Sequence, residues 1–337
     1  MRITILDDYQ DAVRKLDSFR LLDGHDVKIY NNTVKGMGQL AVRLRDTETL
    51  VLIRERTTVT AALLDKLPQL KLIAQTGRMG SHIDLPACTE RGIAVAQGTG
   101  SPTAPAELTW ALIMAAMRRI PQYAGSLRHG VWQQSGMKSS AMPPNFGLGR
   151  SLHGRRLGLF GYGKIGRIVA GYGKAFGMKV TVWGRASTLE RARADGIDTA
   201  PSKEALFEGS DVLSIHLKLV DETRGIVKLS DLQLMNPESL LVNTSRAELI
   251  EADALVHAMN RGRPGMAAID VFETEPILQG HPLLRMENVI CTPHIGFVEL
   301  DNYEHYFRDA FQNILAWDKG DPTNIVNPEV LANLPAK

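Results

Sequence analysis

A glycine-rich segment near the middle of the chain has the spacing that brings backbone N–H groups against phosphates. A short apolar run leads into the motif G-x-G-x-x-G, which contains Gly161, Gly163 and Gly166. The first glycine permits a tight turn, the second lets phosphates approach because it has no Cβ, and the third lets a helix pack closely against the strand. The N-terminus of that helix, at Lys164 and Ile165, adds the positive end of the helix dipole. The motif therefore predicts a dinucleotide site.

Three later segments each leave an apolar run and at once present polar side chains. They are residues 242–246 (Val-Asn-Thr-Ser-Arg), 269–276 (Ile-Asp-Val-Phe-Glu-Thr-Glu-Pro) and 292–296 (Thr-Pro-His-Ile-Gly). An arginine can bind the carboxylate of a 2-oxo acid, and a protonated histidine can donate to the carbonyl oxygen as a hydride reaches the carbon. A glutamate beside the histidine orients it and favours the imidazolium form. This set of side chains suits hydride transfer at a 2-oxo acid.

The elements that must position these segments form two series of alternating strands and helices. The first series has predicted strands at Ile3–Leu6, Val27–Tyr30, Leu50–Ile53, Leu70–Ala74 and Ile93–Ala96. The second has predicted strands at Leu157–Phe160, Val180–Trp183, Val212–His216, Leu240–Asn243, Met266–Asp270 and Val289–Cys291. Such alternation predicts an α/β fold with two doubly wound parallel-sheet domains, one flavodoxin-like and one Rossmann. We expect a substrate-binding domain at 1–100 plus 298–337 and a dinucleotide-binding domain at 101–297.

Helical patterns are clearest at three places. Ala61–Leu67 follows Thr60, a predicted N-cap, and Tyr303–Trp317 is a final amphipathic helix. Ala106–Ile120 is a long apolar helix that links the two series and should bend or end at Pro121. Residues 135–154 show no clear period and are predicted to form a loop or arm.

Composition excludes several classes of function. The net charge is +2 with interspersed charges, so no surface for binding nucleic acid stands out, and no run of 18 apolar residues could cross a membrane. Cys88 and Cys291 lie far apart, which gives no disulfide framework or zinc signature and fits a reducing cytoplasm. Asp7 and Asp8 have no histidine or cysteine beside them, so we expect no metal site, and Asp8 should cap the next helix.

The motifs N-T-S-R, D-V-F-x-x-E-P and T-P-H-I-G, downstream of a central G-x-G-x-x-G, resemble those of the D-isomer-specific 2-hydroxyacid dehydrogenase family. The resemblance covers nearly the whole chain, since residues 54–57, 77–79, 210–217 and 222–225 also match family segments. It implies that Arg246, Glu275 and His294 are catalytic, with Glu275 rather than Glu273 as the partner of the histidine. It also implies a homodimer, with a dimerisation arm within 101–154, for which an intramolecular lid is the alternative.

The resemblance assigns further residues to the cofactor and the substrate. It places Asp270 near the nicotinamide carboxamide, and the backbone of Gly77, Arg78 and Met79 at the substrate carboxylate. Cofactor contacts are also expected at His216, Thr244, Ser245 and Gly296. His216 has a structural role as its alternative, and Arg54 is either a substrate contact or a solvated strand end.

The chain departs from the commonest family pattern in several places. Ala247 stands where a glycine usually follows the catalytic arginine, which is tolerable if φ stays negative. Arg78 and Met79 stand where small or apolar residues are common. Phe297 follows His-Ile-Gly where a small residue is frequent, and should narrow the pocket.

The residues after the second strand of the dinucleotide unit bear on cofactor choice. An acidic residue at that position binds the ribose hydroxyls of NAD and would repel the 2′-phosphate of NADP. Here Gly184 and Arg185 occupy the place, with Ser187 close behind. The sequence therefore predicts NADP(H), with NAD as the alternative if Arg185 stacks on adenine or points to solvent.

Two other functions stay open beside reduction of a small 2-oxo acid. Some relatives with this fold act as transcriptional corepressors, so a non-catalytic NAD(H)-sensing protein is one alternative. A dehydrogenase of phosphite type on the same scaffold is another. Formate enzymes of this type carry Gln at the position of Glu275, which argues against formate oxidation.

Overall fold

The structure is a computed structural model that describes residues 1–137 and 142–333. The chain forms two compact units, Met1–Ser101 with Glu299–Lys337, and Pro102–Val298. The predicted domain boundaries lie one residue from these. Residues 138–141 of the predicted arm and 334–337 of the predicted first domain lie outside the described residues.

The first unit contains a five-stranded parallel sheet in the order β2-β1-β3-β4-β5. Its strands are β1 (Arg2–Ile5), β2 (Asp26–Ile29), β3 (Thr49–Leu52), β4 (Leu72–Gln75) and β5 (Ala94–Gln97). Every residue of β3 and β4 is buried, as expected for central strands covered on both faces. This strand order is the flavodoxin-like one, so the predicted fold of this unit is confirmed.

Helices cover this sheet, beginning with α1 (Met37–Leu44), α2 (Ala61–Leu64) and α3 (Leu85–Glu90). The predicted cap of α2 is present, because the Thr60 hydroxyl accepts the N–H of Leu63 at 3.3 Å. The helix ends at Leu64 rather than Leu67, since the following turns bond three residues back and Pro68 disfavours further helix. The Asp8 carboxylate accepts the N–H groups of Ala12 and Val13 where a 3-10 turn begins.

The second unit contains a seven-stranded parallel sheet in the order β12-β11-β10-β9-β6-β7-β8. Its strands are β6 (Arg156–Phe160), β7 (Lys179–Trp183), β8 (Asp198–Thr199), β9 (Val212–Ile215), β10 (Leu240–Asn243), β11 (Met266–Ile269) and β12 (Val289–Cys291). The order reverses between β6 and β9, which is the switch point where such sheets bind dinucleotides. The predicted Rossmann fold is confirmed, with β8 as a strand that the sequence patterns did not indicate.

The helices of the second unit are α4 (Thr103–Met117), α5 (Ile120–Arg128), α6 (Lys164–Ala175), α7 (Ala186–Ala194), α8 (Lys203–Gly209), α9 (Leu229–Leu234) and α10 (Ala254–Asn260). The last helix of the chain, α11 (Leu300–Lys319), returns to the first unit. The predicted helix Ala106–Ile120 was wrong at its end, because Arg119 takes a left-handed conformation (φ 57°) that breaks it before Pro121. Pro121 instead lies in the first turn of α5, where it suits a helix start.

Arg119 also fixes the chain that follows α5. Its side chain is 2% exposed, and its guanidinium donates to the carbonyl oxygens of Phe146 and Ala116 at 3.1 and 2.7 Å. Burial lowers the pKa of Arg119 to about 10, with a further contribution from the charge of Arg150. The described residues of 135–154 contain neither helix nor strand, as predicted for a loop or arm. Among the described residues, no helix is long and apolar enough to cross a membrane.

Candidate active site

The glycine-rich turn between β6 and α6 has the shape that a dinucleotide pyrophosphate requires. Gly161 has a φ of 99°, and a Cβ there would lie 2.4 Å from the carbonyl oxygen of His216. At Gly163, the N-cap of α6, a Cβ would meet nothing within 4 Å. The backbone before Lys164 therefore faces open space at a helix N-terminus, and Ile165 anchors the helix against the core. The residues present fit the phosphates of a nicotinamide dinucleotide.

His216 lies directly after β9, next to this turn. Its Nε2 is 2.9 Å from the Ser214 hydroxyl, and burial lowers the pKa of the imidazole to about 4. His216 is therefore neutral at neutral pH. Its backbone carbonyl lies so close to Gly161 that a Cβ there would collide with it. These contacts give His216 a structural role, while its use as a cofactor contact stays a prediction.

The end of β7 carries no acidic side chain at Gly184, where Thr188 packs closely against the backbone. A Cβ at Gly184 would lie 2.9 Å from the Thr188 methyl group, and Thr188 is buried. Arg185 and Ser187 follow, both exposed, where α7 begins. No carboxylate of the described chain forms an ion pair with Arg185.

The loop after β10 is fixed by its own polar groups. The Asn243 amide donates to the carbonyl of Arg246 at 2.8 Å, and the Ser245 hydroxyl donates to that of Ile215 at 2.7 Å. The Thr244 and Thr109 hydroxyls lie 2.7 Å apart. The loop thus presents Arg246 from a fixed backbone. Asn243 is a positioning residue that sequence reasoning did not single out, although an asparagine ending a buried strand is a signal for it.

Arg246 itself is half-buried, and its guanidinium donates to the carbonyl of Ser245 at 2.6 Å. The next residue, Ala247, opens a 3-10 turn, a backbone region of negative φ. The alanine in place of the usual glycine therefore meets no backbone obstacle, as the sequence predicted.

Glu275 and His294 form the closest ion pair of this region. His294 Nδ1 lies 2.6 Å from Glu275 Oε2, while Glu275 Oε1 accepts the N–H of Phe272 at 3.0 Å. Glu273 points elsewhere, since its carboxylate is 3.8 Å from His281. The structure thus brings Glu275, and not Glu273, against the histidine.

The pairing defines which nitrogen of His294 can exchange a proton with a substrate. Burial raises the pKa of the Glu275 carboxyl, but the hydrogen bond and charge of His294, the N–H of Phe272 and the charge of Arg246 together lower it. An ionised carboxylate only accepts hydrogen bonds, so Nδ1 carries the proton it shares with Glu275. Nε2 is therefore the ring nitrogen that this pairing leaves available for another partner.

Asp270 directly follows β11 and is fully buried. Its Oδ1 accepts the Thr292 hydroxyl at 2.7 Å and the N–H of Ile295 at 2.8 Å, and its Oδ2 accepts the N–H of Gly296 at 2.9 Å. Burial raises the pKa of Asp270, although these three donors and the charge of His294 oppose the rise. Asp270 and Gly296, both predicted cofactor contacts, are thus bonded to each other.

Phe297, the residue that departs from the family pattern after His-Ile-Gly, is buried. Its ring lies edge-on to the His294 imidazole, with the centroids 5.5 Å apart. Phe297 therefore packs beside His294 in the interior and is not a surface residue.

The predicted substrate residues lie in the first unit, after β3 and β4. Arg54 has a φ of 52°, and its guanidinium donates to the carbonyls of Thr76 and Arg78 at 3.4 and 3.2 Å. A Cβ at Gly77 would lie 2.6 Å from that guanidinium. Arg78 is exposed, whereas the N–H of Met79 donates to Gln97 at 3.2 Å. Among the backbone N–H groups predicted to bind the substrate carboxylate, that of Met79 is therefore already hydrogen-bonded within the protein.

No group of three or more His, Cys, Asp or Glu side chains in residues 1–137 and 142–333 is arranged to hold a metal ion. Asp7 makes its contacts within the protein. Its carboxylate accepts the hydroxyl of Thr57, and its carbonyl accepts a bond from Arg56 at 2.7 Å.

Comparison with known proteins agrees with this geometry. Residues 110–296 match the NAD binding domain of D-isomer specific 2-hydroxyacid dehydrogenases. The chain is 39% identical to a glyoxylate reductase of Aeropyrum pernix over 271 residues, which is 80% of each chain.

Solved structures extend the similarity to almost the entire chain. An oxidoreductase of Ralstonia solanacearum is 66% identical, with a TM-score of 0.97 over 99% of this chain and 98% of that one. A phosphoglycerate oxidoreductase of Vibrio cholerae is 49% identical, with a TM-score of 0.90 over 95% of this chain and 99% of that one. The chain therefore belongs to the D-isomer specific 2-hydroxyacid dehydrogenase family, the oxidoreductases that transfer a hydride between a nicotinamide cofactor and a 2-oxo acid.

Proposed function

We propose that this dehydrogenase reduces a small 2-oxo acid with NADPH, and that Arg246, Glu275 and His294 are its catalytic residues. The observation that carries the assignment is the 2.6 Å pairing of His294 Nδ1 with Glu275 Oε2. It supplies a histidine that an ionised carboxylate keeps oriented and favours in its protonated form.

Each side chain then has one task in the reduction. Arg246 binds the carboxylate of the 2-oxo acid through a two-pronged, charge-assisted contact. When bound, the reduced nicotinamide supplies the hydride that reaches the carbonyl carbon. The proton on His294 Nε2 passes to the carbonyl oxygen, which completes the hydroxyl group of the product, and Glu275 stabilises the imidazolium that holds this proton beforehand.

The role of Glu275 predicts a change in the pH dependence of reduction. Glu275→Gln keeps the shape of the side chain but removes the charge that favours the imidazolium. The alkaline limit of reduction should therefore move to lower pH. The measurement is the pH profile of kcat/KM for the parent, for Glu275→Gln and for the control Glu273→Gln. An alkaline limit that is the same in all three proteins would refute the pairing.

Cofactor choice rests on the end of β7. Gly184 has no carboxylate that would repel a 2′-phosphate. Arg185 supplies an exposed cation, and Ser187 a hydroxyl, at the N-terminus of α7. Together these favour NADP(H) over NAD(H), because a 2′-phosphate gains a charge-assisted contact there.

Arg185→Ala should lower the ratio of kcat/KM for NADPH over that for NADH by about tenfold or more, the worth of one charge-assisted hydrogen bond. Arg193→Ala, an exposed arginine near the other end of α7, is the matched control and should leave the ratio unchanged. A parent enzyme that favours NADH, or a ratio that Arg185→Ala does not alter, contradicts the assignment to NADP(H).

The substrate is a small 2-oxo acid or the corresponding D-2-hydroxy acid. The backbone of Gly77 and Arg78, with Arg54 beside it, is our candidate for the contact with the substrate carboxylate. The two named relatives act on glyoxylate and phosphoglycerate according to their names, and both compounds fall within this class.

The proposed oligomeric state of the protein rests on residues 101–154, and its proposed cellular compartment rests on the two cysteines. We propose a homodimer formed through residues 101–154, because this segment exposes large apolar side chains, with Trp132 72% and Leu148 61% exposed. Cys88 and Cys291 are both free thiols, which supports a reducing, cytoplasmic location.

A further inference from the structure

We propose that Asp270 and Thr292 form a latch that positions His294, so that both are positioning residues for proton transfer and not only neighbours of the cofactor. The latch is the set of hydrogen bonds between the Asp270 carboxylate and the segment Thr292–Gly296. The proposal rests on the proposed function of His294 as proton donor.

The hydrogen bonds of the latch bracket the histidine on both sides. On the N-terminal side, the Thr292 hydroxyl donates to Asp270 Oδ1 at 2.7 Å. On the C-terminal side, the N–H groups of Ile295 and Gly296 donate to Oδ1 and Oδ2 at 2.8 and 2.9 Å. His294 lies between these contacts, and its own side chain is held by Glu275 instead. One buried carboxylate thus fixes the backbone, and a second carboxylate fixes the ring.

The backbone of His294 needs such a support. Its φ is 51°, in the left-handed region that residues with a Cβ rarely adopt. A strained conformation of this kind persists only where surrounding contacts over-determine it. The N–H of His294 also turns back onto the carbonyl of Thr292 at 3.0 Å, so the segment is a tight turn whose two ends meet at Asp270.

The number of hydrogen bonds that the Asp270 carboxylate can accept allows it to hold the turn and also to contact a cofactor. A carboxylate offers about four acceptor sites, and the turn takes three of them. The remaining site on Oδ2 is compatible with a donor from a bound carboxamide, so the two roles can coexist. The Thr292 hydroxyl donates to Oδ1, and removing it weakens the latch while the Asp270 charge stays in place.

Thr292→Val is therefore the cleanest change to the latch. We expect kcat for 2-oxo acid reduction to fall about tenfold, the worth of one hydrogen bond to a charged group, with little change in the Kd for NADPH. Thr292→Ser keeps the hydroxyl and should retain most of the activity. Thr181→Val, on β7, is the control for a threonine-to-valine change in the same unit and should be neutral.

A double-mutant cycle with His294→Ala then distinguishes positioning from other roles. If the latch acts through the histidine, Thr292→Val should cost about tenfold in the parent and nothing further in the His294→Ala background, measured by single-turnover oxidation of NADPH. Asp270→Asn, which swaps one acceptor for a donor, should show the same dependence on His294 in kcat.

Three outcomes overturn the latch. One is an equal loss from Thr292→Val with and without His294, and another is a Thr292→Ser variant as slow as Thr292→Val. The third is an Asp270→Asn variant that weakens NADPH binding in a fluorescence titration while kcat is unchanged. An enzyme in which His294→Ala alone has no effect would instead reject the proposed function of His294, so the two failures are distinguishable.

Discussion

Replacing His294 by alanine is expected to slow the reduction of 2-oxo acids by about 10²–10⁴-fold, the usual contribution of one general acid. The imidazole is the group that Glu275 holds at 2.6 Å, and no other side chain is assigned to give a proton to the carbonyl oxygen. The loss should appear in kcat, because in the proposed function the substrate carboxylate binds to Arg246 and the cofactor to the glycine-rich turn. The measurement is steady-state kinetics with saturating NADPH.

The control for this change is His257→Ala, an exposed histidine on α10 of the same unit. It should match the parent in kcat and in melting temperature. A His294→Ala enzyme with a normal kcat would show that the proton reaches the substrate from another source, and would remove the basis for pairing Glu275 with a catalytic histidine.

Arg246→Lys is the second change with a large expected effect. Lysine keeps the positive charge but offers a compact ammonium in place of a planar fork, so one of the two contacts to the substrate carboxylate is lost. We expect kcat/KM to fall about 10- to 150-fold, which corresponds to one charge-assisted hydrogen bond. Titration with an unreactive 2-hydroxy acid analogue should show weaker binding in the same variant.

Arg156→Lys is the matched control, because Arg156 begins β6 at the opposite end from the glycine-rich turn and pairs with Asp211 at 3.4 Å. That exposed ion pair should tolerate the exchange with little change in rate or stability. An Arg246→Lys enzyme with near-normal kcat/KM would mean that the guanidinium does not bind the substrate in a two-pronged manner.

The sheets could be predicted because their strands are buried on both faces and therefore appear as short apolar runs. The sequence Leu-Leu-Val-Asn of β10 is such a run, and it begins and ends where predicted. The strand β8 escaped prediction because Asp198–Thr199 is a pair of polar residues at the edge of the sheet, next to β7. The strand β8 forms because β7 lies beside it, and the local sequence pattern does not indicate that pairing.

The end of α4 shows a second limit. Pro121 is a conspicuous helix breaker, so the sequence predicted the break there. The break comes earlier because Arg119 turns into a left-handed conformation and is buried against the carbonyl of Phe146. That contact joins residues 27 positions apart, and nothing in the local sequence indicates it.

The candidate site was predictable in its residue types but not in its connections. Asp270, Glu275 and His294 belong to segments that were singled out because each follows an apolar strand, and the family resemblance then selected Glu275 rather than Glu273. That Glu275 faces the imidazole while Asp270 faces the backbone of the same turn depends on side-chain directions in three dimensions. Thr292 therefore gave no signal of its own, and its bond to Asp270 emerges only in the folded structure.

The most direct test of the proposed reaction is the oxidation of NADPH and of NADH by the purified protein with glyoxylate, hydroxypyruvate, pyruvate, phenylpyruvate, 2-oxoglutarate and 3-phosphohydroxypyruvate. We expect rapid oxidation with at least one of these acids, faster with NADPH than with NADH, and a D-2-hydroxy acid as the product. Absence of turnover with every acid and both cofactors, together with oligomerisation that depends on NADH, would contradict an enzymatic role and indicate a cofactor-sensing protein.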